Sequence, residues 1–211
     1  MWSTFSYYTA LAFEGLIGIF GIRLYQEPRY DVIDRVADRI EIRRYGSRLA
    51  VQVELEAAGR SARDEAFRLL FAYIAGNNGA SASDGAKIAM TVPVEVRESE
   101  RLAMTVPVQS SETTDTLRML FFLPAGYTAG NAPKPRDPRV RIVTVPGETV
   151  AALRFSGTGA DMTERQSELV GKLRGSGWRV AGAPYALNYD APFTIPPLRR
   201  NEAAVAVAEG N

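Results

Sequence analysis

The sequence predicts an α+β domain with an internal pseudo-duplication, preceded by an apolar helix. Three observations carry this reading. Short stretches of period-two hydrophobicity surround two stretches of helical period, and the order strand, strand, helix, further strands occurs twice. Residues 2–25 carry only Glu14 and Arg23 as charges. The chain has 211 residues, 46% of them hydrophobic and 23% charged, which is enough for a sizeable core.

The first element is "WSTFSYYTALAFEGLIGIFGIRLY". Phe13, Leu16, Ile17, Phe20 and Leu24 form one helical stripe, and Gly15, Gly18 and Gly21 lie on another face. Trp2, Phe5, Tyr7 and Tyr8 mark one end and Tyr25 the other, as at a membrane interface. Three readings stand: a helix docked on its own domain or a partner, a membrane-inserted or membrane-surface anchor, and an exported leader. No Lys or Arg precedes the apolar run and no A-x-A follows it, which disfavours a cleaved leader. A carboxylate is costly in lipid unless it faces a partner, so Glu14 is expected at a helix contact that the three glycines allow to be close. Trp2, Glu14, Gly15, Gly18 and Gly21 are the expected partner-contact residues. Arg23 and Arg29 follow the apolar run and favour a cytoplasmic domain, membrane-associated or, alternatively, soluble.

From Pro28 the pattern changes. "RIEIRRY" places Ile40 and Ile42 on one face against Arg39, Glu41 and Arg43, and "LAVQVELEA" alternates Leu49, Val51, Val53 and Leu55 with polar residues. Both read as half-buried strands. "SARDEAFRLLFAYIAGNN" reads as a helix with Phe67, Leu70, Phe71 and Ile74 inward, Ser61 as cap, and Gly76 to Gly79 as its end.

The stretch "KIAMTVPVEVRESERLAMTVPV" repeats one phrase. Ile88, Met90, Val92 and Val94, then Leu102, Met104, Val106 and Val108, alternate as strands with one buried face. Pro93 and Pro107 restrict these to edges or bulges, and the polar "EVRESE" joins them as a hairpin-like excursion. A strand at Thr116 to Pro124 follows. "RVRIVTVPGETVAALRFSG" then offers two strands around Pro146-Gly147. Asp161 with Glu164 suggests a capping box opening a helix that carries Met162, Gln166, Leu169, Val170 and Leu173, and Gly175 and Gly177 stop it.

The chain contains no Cys and no His. That excludes a disulfide frame, a His/Cys zinc site, a Cys nucleophile and a Ser-His couple, so an enzyme is not expected. A net charge of +1 gives no reason to expect nucleic acid as a partner.

The ordered phrases "EPRYDVI", "IEIRRY", "AFRLLFAYIAGNN", the doubled "IAMTVPV" and "LAMTVPV", "FFLPAGY", "APKPRDPRV", "RFSG" and "YDAPFTIPPLRRNEAAVAV" resemble the SOUL haem-binding protein family. The resemblance implies a distorted eight-stranded β-barrel of two four-stranded halves with two flanking helices, here preceded by the apolar helix. The chain then divides into an anchor helix at residues 1–26, the SOUL-like domain at 27–208 and a tail at 209–211.

It also implies a non-catalytic carrier or buffer for haem or another tetrapyrrole, held by an apolar cleft and by basic side chains that meet the propionates. The matching positions are Arg63, Phe67 and Leu70 on the first helix, with Phe193 and Arg199 before the last strand. Some members of the family have a His axial ligand; this chain has none, so ligation by His or Cys is excluded. The alternative is a membrane-associated accessory subunit in which the domain is a scaffold with weak or lost haem binding. Each ligand position has a structural rival. Phe67 and Leu70 suit any core-facing helix. Met90 and Met104 suit core gaps better than iron, and "RRNE" at Arg199 to Glu202 suits pairing with itself or with loop carbonyls. Tyr45 and Tyr73 are the remaining residue type that could meet iron, as phenolates.

Overall fold

The structure, a computed structural model, describes residues 25–57, 59–79, 85–99, 116–191 and 193–210. The expected N-terminal helix and the second Met-Thr-Val-Pro-Val copy, with Leu102, Met104, Val106, Pro107 and Val108, lie outside the described residues.

The described elements run β1 (Tyr30–Ala37), β2 (Ile40–Tyr45), β3 (Arg48–Leu55), α1 (Gly59–Ile74), β4 (Val94–Ser99), β5 (Thr116–Phe122), β6 (Val140–Val145) and β7 (Glu148–Ser156). Then come α2 (Met162–Leu173), β8 (Trp178–Val180), β9 (Tyr185–Asn188), a 3-10 turn (Pro196–Leu198) and β10 (Arg200–Glu209). All registered pairings are antiparallel. The class is α+β as expected, but the described residues carry ten strands, where eight were expected. One addition, β1, breaks its period at two register shifts opposite β2, between Val32 and Asp34 and between Arg35 and Ala37. A bulged strand loses the alternation by which a strand is read. The other, β8, is three residues long.

The chain forms two compact units. The first comprises residues up to Gly46, Thr91–Pro93 and Gly147–Asn211; the second comprises Ser47–Met90 and Val94–Pro146. In the second unit the sheet runs β6-β3-β5-β4, with α1 packed on β3, β5 and β6. In the first it runs β1-β2-β7-β10-β9, with β8 on the far end of β10 and α2 packed on β7, β10, β8 and β1. Leaving out β1 and β8, the orders β6-β3-β5-β4 and β2-β7-β10-β9 are the same pattern. The pseudo-duplication is therefore present, but each unit takes its first strand from the other copy of the repeat. The strands around Pro146-Gly147 accordingly belong to different units, β6 beside β3 and β7 between β2 and β10.

In the first unit Ile40, Ile42, Ala151, Leu153, Ala203 and Val205 point to α2, where Leu169 and Leu173 complete a buried cluster. The opposite face gathers Tyr45, Val92, Val150, Tyr185, Leu187, Tyr189 and Ala204. The strand expected over Ile88 to Val94 does not form. Thr91 makes a single bridge to Gln26, Val92 is buried in the second cluster, and β4 begins at Val94, so "EVRES" is strand where a joining loop was expected. Its Val94, Glu95 and Val96 are buried, which the charges of that stretch had hidden.

Helix α1 buries Ala62, Ala66, Leu70, Tyr73 and Ile74, a stripe turned away from the expected one, with Phe67 and Phe71 half-buried. It starts two residues before Ser61, which lies in the first turn and is not the cap. The end is as expected and more elaborate. The Asn77 N–H donates to the Ala72 carbonyl at 2.9 Å and the Gly76 N–H to that of Tyr73 at 3.2 Å, a Schellman arrangement with Gly76 at φ +115°. The fully buried Asn78 amide donates to the Tyr73 and Ala86 carbonyls and accepts from the Ala86 N–H, each at 2.7 Å. Asp161 does not cap α2 with its side chain; it pairs with Arg165 at 3.1 Å, so the capping box is absent.

Two glycines test these ends in opposite directions. Gly76→Val places a β-branched residue in the left-handed region and is expected to cost about 1 kcal/mol or more. Gly171 lies inside α2 with nothing within 4 Å of an added Cβ. Gly171→Ala is expected to stabilise by about 0.5–1 kcal/mol. Urea midpoints measure both, and equal midpoints for Gly76→Val and wild type would refute the cap.

Candidate functional site

The residues expected from the sequence fall in both units, Arg63, Phe67 and Leu70 in the second and Phe193 and Arg199 in the first. On α1, Arg63 is held by Glu98 through two contacts of 2.7 Å, Nε and Nη2 each to one carboxylate oxygen. This hydrogen-bonded pairing raises the Arg63 pKa. Phe67 packs beside Phe71 at 6.0 Å and edge-on to Phe121 at 5.3 Å. Leu70 is fully enclosed in the core.

In the first unit, Phe193 is 59% exposed, Ile195 40% and Leu198 45%. Among the described residues the one further exposed large hydrophobic is Val32, so exposed apolar surface concentrates on the six residues 193–198. The segment is firmly built. Pro196 and Pro197 fix its φ angles, the Leu198 N–H donates to the Ile195 carbonyl at 2.8 Å, and Arg199 Nε donates to the Thr194 carbonyl at 2.6 Å. Arg199 thus binds a loop carbonyl, the structural role foreseen for "RRNE".

The two tyrosines weighed as iron ligands are both buried. The Tyr73 hydroxyl donates to the Pro133 carbonyl at 2.8 Å, and burial, with the neighbouring Tyr127, pushes its pKa up to about 12. It stays a phenol. The residues present therefore fit the apolar face of a macrocycle at 193–198 and offer the iron no phenolate from Tyr73.

A polar network went unread in the sequence. Arg43, expected on the solvent side of β2, is 2% exposed. Its Nη1 and Nη2 meet the two oxygens of Glu202 at 2.5 and 3.0 Å, and its Nε meets Glu41 at 3.0 Å. Glu202, fully buried in β10, also accepts from the Tyr189 hydroxyl at 2.8 Å and from Arg200 Nε and Nη2 at 3.0 and 2.8 Å. Arg200 lies 3.7 Å from the centre of the Tyr189 ring and Arg43 4.5 Å from that of Tyr30. The signal was Glu202 within "NEAAVAV": a lone carboxylate in an apolar alternation must find cations.

Burial alone would raise the Glu202 pKa and lower that of Arg43. The hydrogen bonds and charges between them reverse both, holding Glu202 below the usual carboxylate range and Arg43 above the usual guanidinium range. Tyr189 is pushed well up by burial and by the Glu202 charge.

Residues 25–206 match the family described as SOUL heme-binding protein. No curated protein matches the chain. Among solved structures, the C-terminal domain of EcmrR is similar at a TM-score of 0.59 and 8% identity, covering 85% of this chain and 98% of that one. An uncharacterized conserved protein from Listeria innocua is similar at a TM-score of 0.57 and 11% identity, covering 81% and 92%. A hydrolase from the same organism is similar at 0.55 and 11% identity, with the same coverage. At such identities these likenesses show a shared fold alone.

The network sets an acid dependence. Because the folded-state pKa of Glu202 is lowered, its stabilisation is complete above the ordinary value of 4.5 and is lost as pH falls from there through the folded pKa. Glu202→Gln removes the carboxylate that Arg43 and Arg200 share, leaving them only Glu41 and Glu27, and is expected to cost about 3–5 kcal/mol at neutral pH. Denaturant unfolding at a series of pH values should show the gap to wild type narrowing below pH 4.5. A pH-independent gap would refute the assignment.

Proposed function

Because the chain belongs to the SOUL heme-binding protein family, we propose that it is a non-catalytic carrier or buffer for haem or a related tetrapyrrole, bound without His or Cys ligation. The observation that supports this reading most is the exposed apolar segment of Phe193, Ile195 and Leu198 on a proline-stiffened, hydrogen-bonded turn. A planar macrocycle gains from apolar area that is already ordered, because little conformational freedom is lost on binding. Arg199 stands at the end of the segment, where its Nε donates to the Thr194 carbonyl, and it remains a proposed contact for a propionate. Phe67 and Arg63 on α1 remain proposed contacts of the same ligand class.

The accessory-subunit reading rests on the sequence of residues 1–25, with Trp2, Glu14, Gly15, Gly18 and Gly21 as the contact. Among the described residues no helix is long and apolar enough to cross a membrane. On this second reading, deletion of residues 1–25 releases a folded domain that keeps its tetrapyrrole affinity and no longer sediments with membranes.

Hemin titration followed in the Soret region tests the primary reading. Saturable binding with a broad, weakly shifted band is expected, and Phe193→Asp is expected to weaken it roughly tenfold or more by placing a charge against the ring. A sharp six-coordinate low-spin spectrum would overturn binding without an axial ligand. The absence of saturable binding would overturn the carrier reading.

A further inference from the structure

On the first unit, β1, β2, β7 and the start of β10 line a cavity of about 590 Å³ in which none of residues 193–198 takes part. We propose that this cavity binds a small organic dianion, a phosphate monoester or a dicarboxylate.

The lining is dominated by guanidinium groups, namely Arg35, Arg39, Arg43, Arg154 and Arg200, with Tyr30 as an aromatic wall. Two carboxylates share it, Asp38 and Glu41. With Glu202 beneath, five arginines face three carboxylates inside the cavity. Arg39 also meets Glu168 at 3.5 Å and Arg200 meets Glu27 at 3.2 Å, both outside the lining. Arg154 has no such partner among the described residues, and the reason is geometric. It lies directly opposite Glu202 in the β7–β10 register, where an ion pair is expected. The oxygens of Glu202 are, however, taken by Arg43, Arg200 and Tyr189. A carboxylate has no acceptor capacity beyond these contacts, so Arg154 is left as a spare cation. Ser156, opposite Arg200 in the same register, adds a hydroxyl on the same side.

The depth of the groups grades the site. Arg43 and Arg200 have side chains only 3% and 11% exposed, whereas those of Arg35 and Arg39 are 62% and 57% exposed. A guanidinium fork holds more N–H groups than the contacts of Arg43 and Arg200 use. An anion entering between the rim arginines therefore meets fixed donors below and mobile ones above, the arrangement in which charge-assisted hydrogen bonds discriminate a dianion from chloride. The volume exceeds what inorganic phosphate fills and suits a ligand with an organic body. Asp38, at the β1–β2 turn, is the lining carboxylate that such a ligand has to avoid.

Isothermal titration of the full chain with phenyl phosphate and with isophthalate, at matched ionic strength and with benzyl alcohol as the neutral control, tests this. Saturable binding of one molecule is expected for at least one dianion, and the stronger of the two identifies the headgroup. Arg154→Gln and Arg39→Gln should each weaken it roughly tenfold or more. Asp38→Asn should tighten it, while Arg141→Gln on β6 and Phe193→Asp should leave it unchanged. Because these side chains are exposed, unfolding midpoints close to wild type separate loss of binding from loss of fold. Heats no larger than those of benzyl alcohol, or binding indifferent to both arginine substitutions, would overturn the proposal. Since Phe193→Asp acts on hemin alone, failure here and failure of tetrapyrrole binding are distinguishable.

Discussion

The first unit is organised around the need to neutralise Glu202. Placing a carboxylate and a guanidinium out of water costs several kcal/mol per ion in effect, so the pair persists only if nearly every lone pair and N–H is matched. β10 meets that condition by lying between β7 and β9, which brings Arg43 across from β2 and Tyr189 from the end of β9. Arg43 must reach over β7 to do so. The row that lies between is Glu41, Ala152 and Ala204, and the two alanines leave the space a larger side chain would fill. The constraint also fixes register. A one-residue slip of β10 would turn Glu202 onto the face where Leu169, Leu173 and Ile42 pack, an uncompensated charge in an apolar cluster.

The second unit uses the same strand order with a different lock. Its face beneath α1 is apolar, and its specificity lies at the helix end, where Gly76 turns the chain and Asn78 ties the turn to Ala86. The fit is close enough that a Cβ on Gly85 would stand 2.2 Å from the Gly76 carbonyl oxygen. One unit is thus fixed by buried charge and the other by backbone capping. Hydrophobic patterning is common to both units, whereas the polar residues of each lock have no counterpart in the other.

The parts legible in the sequence are those set by local periodicity. β2, β3, β5, β6, β7 and both helices lie close to where alternation or helical spacing places them. What escaped depends on partners far along the chain. Arg43 occupies a polar position of β2 by alternation, and nothing local shows that a carboxylate 159 residues away draws it inside. β4 carries Glu95, Arg97 and Glu98, yet its first three residues are buried, because Glu95 meets Arg97 at 2.6 Å and Arg63 takes Glu98. The exchange of first strands between copies leaves no local trace either. Of the ligand positions named from the resemblance, Phe193 lies on exposed apolar surface, while Leu70 is enclosed. A helical stripe cannot by itself distinguish a residue facing the core from one facing a ligand.

Arg199 and Arg200 connect the buried network to the exposed segment. Neighbouring residues entering a strand point to opposite sides, so one arginine turns outward to the Thr194 carbonyl while the next reaches Glu202. The backbone between them is held as well, since the Arg200 N–H donates to Asp190 at 2.6 Å and its carbonyl accepts from the Tyr189 N–H at 3.2 Å. The loop 190–199 is therefore clamped at its base by the same residues that neutralise Glu202. An exposed apolar loop on a mobile base would collapse onto its own domain, hiding Phe193 and Leu198 from any ligand. Clamping prevents this and keeps apolar area in water at a cost that the buried network offsets. Stability stored in the Arg43–Glu202–Arg200 cluster is in this sense the condition for a surface at residues 193–198 that is both apolar and ordered.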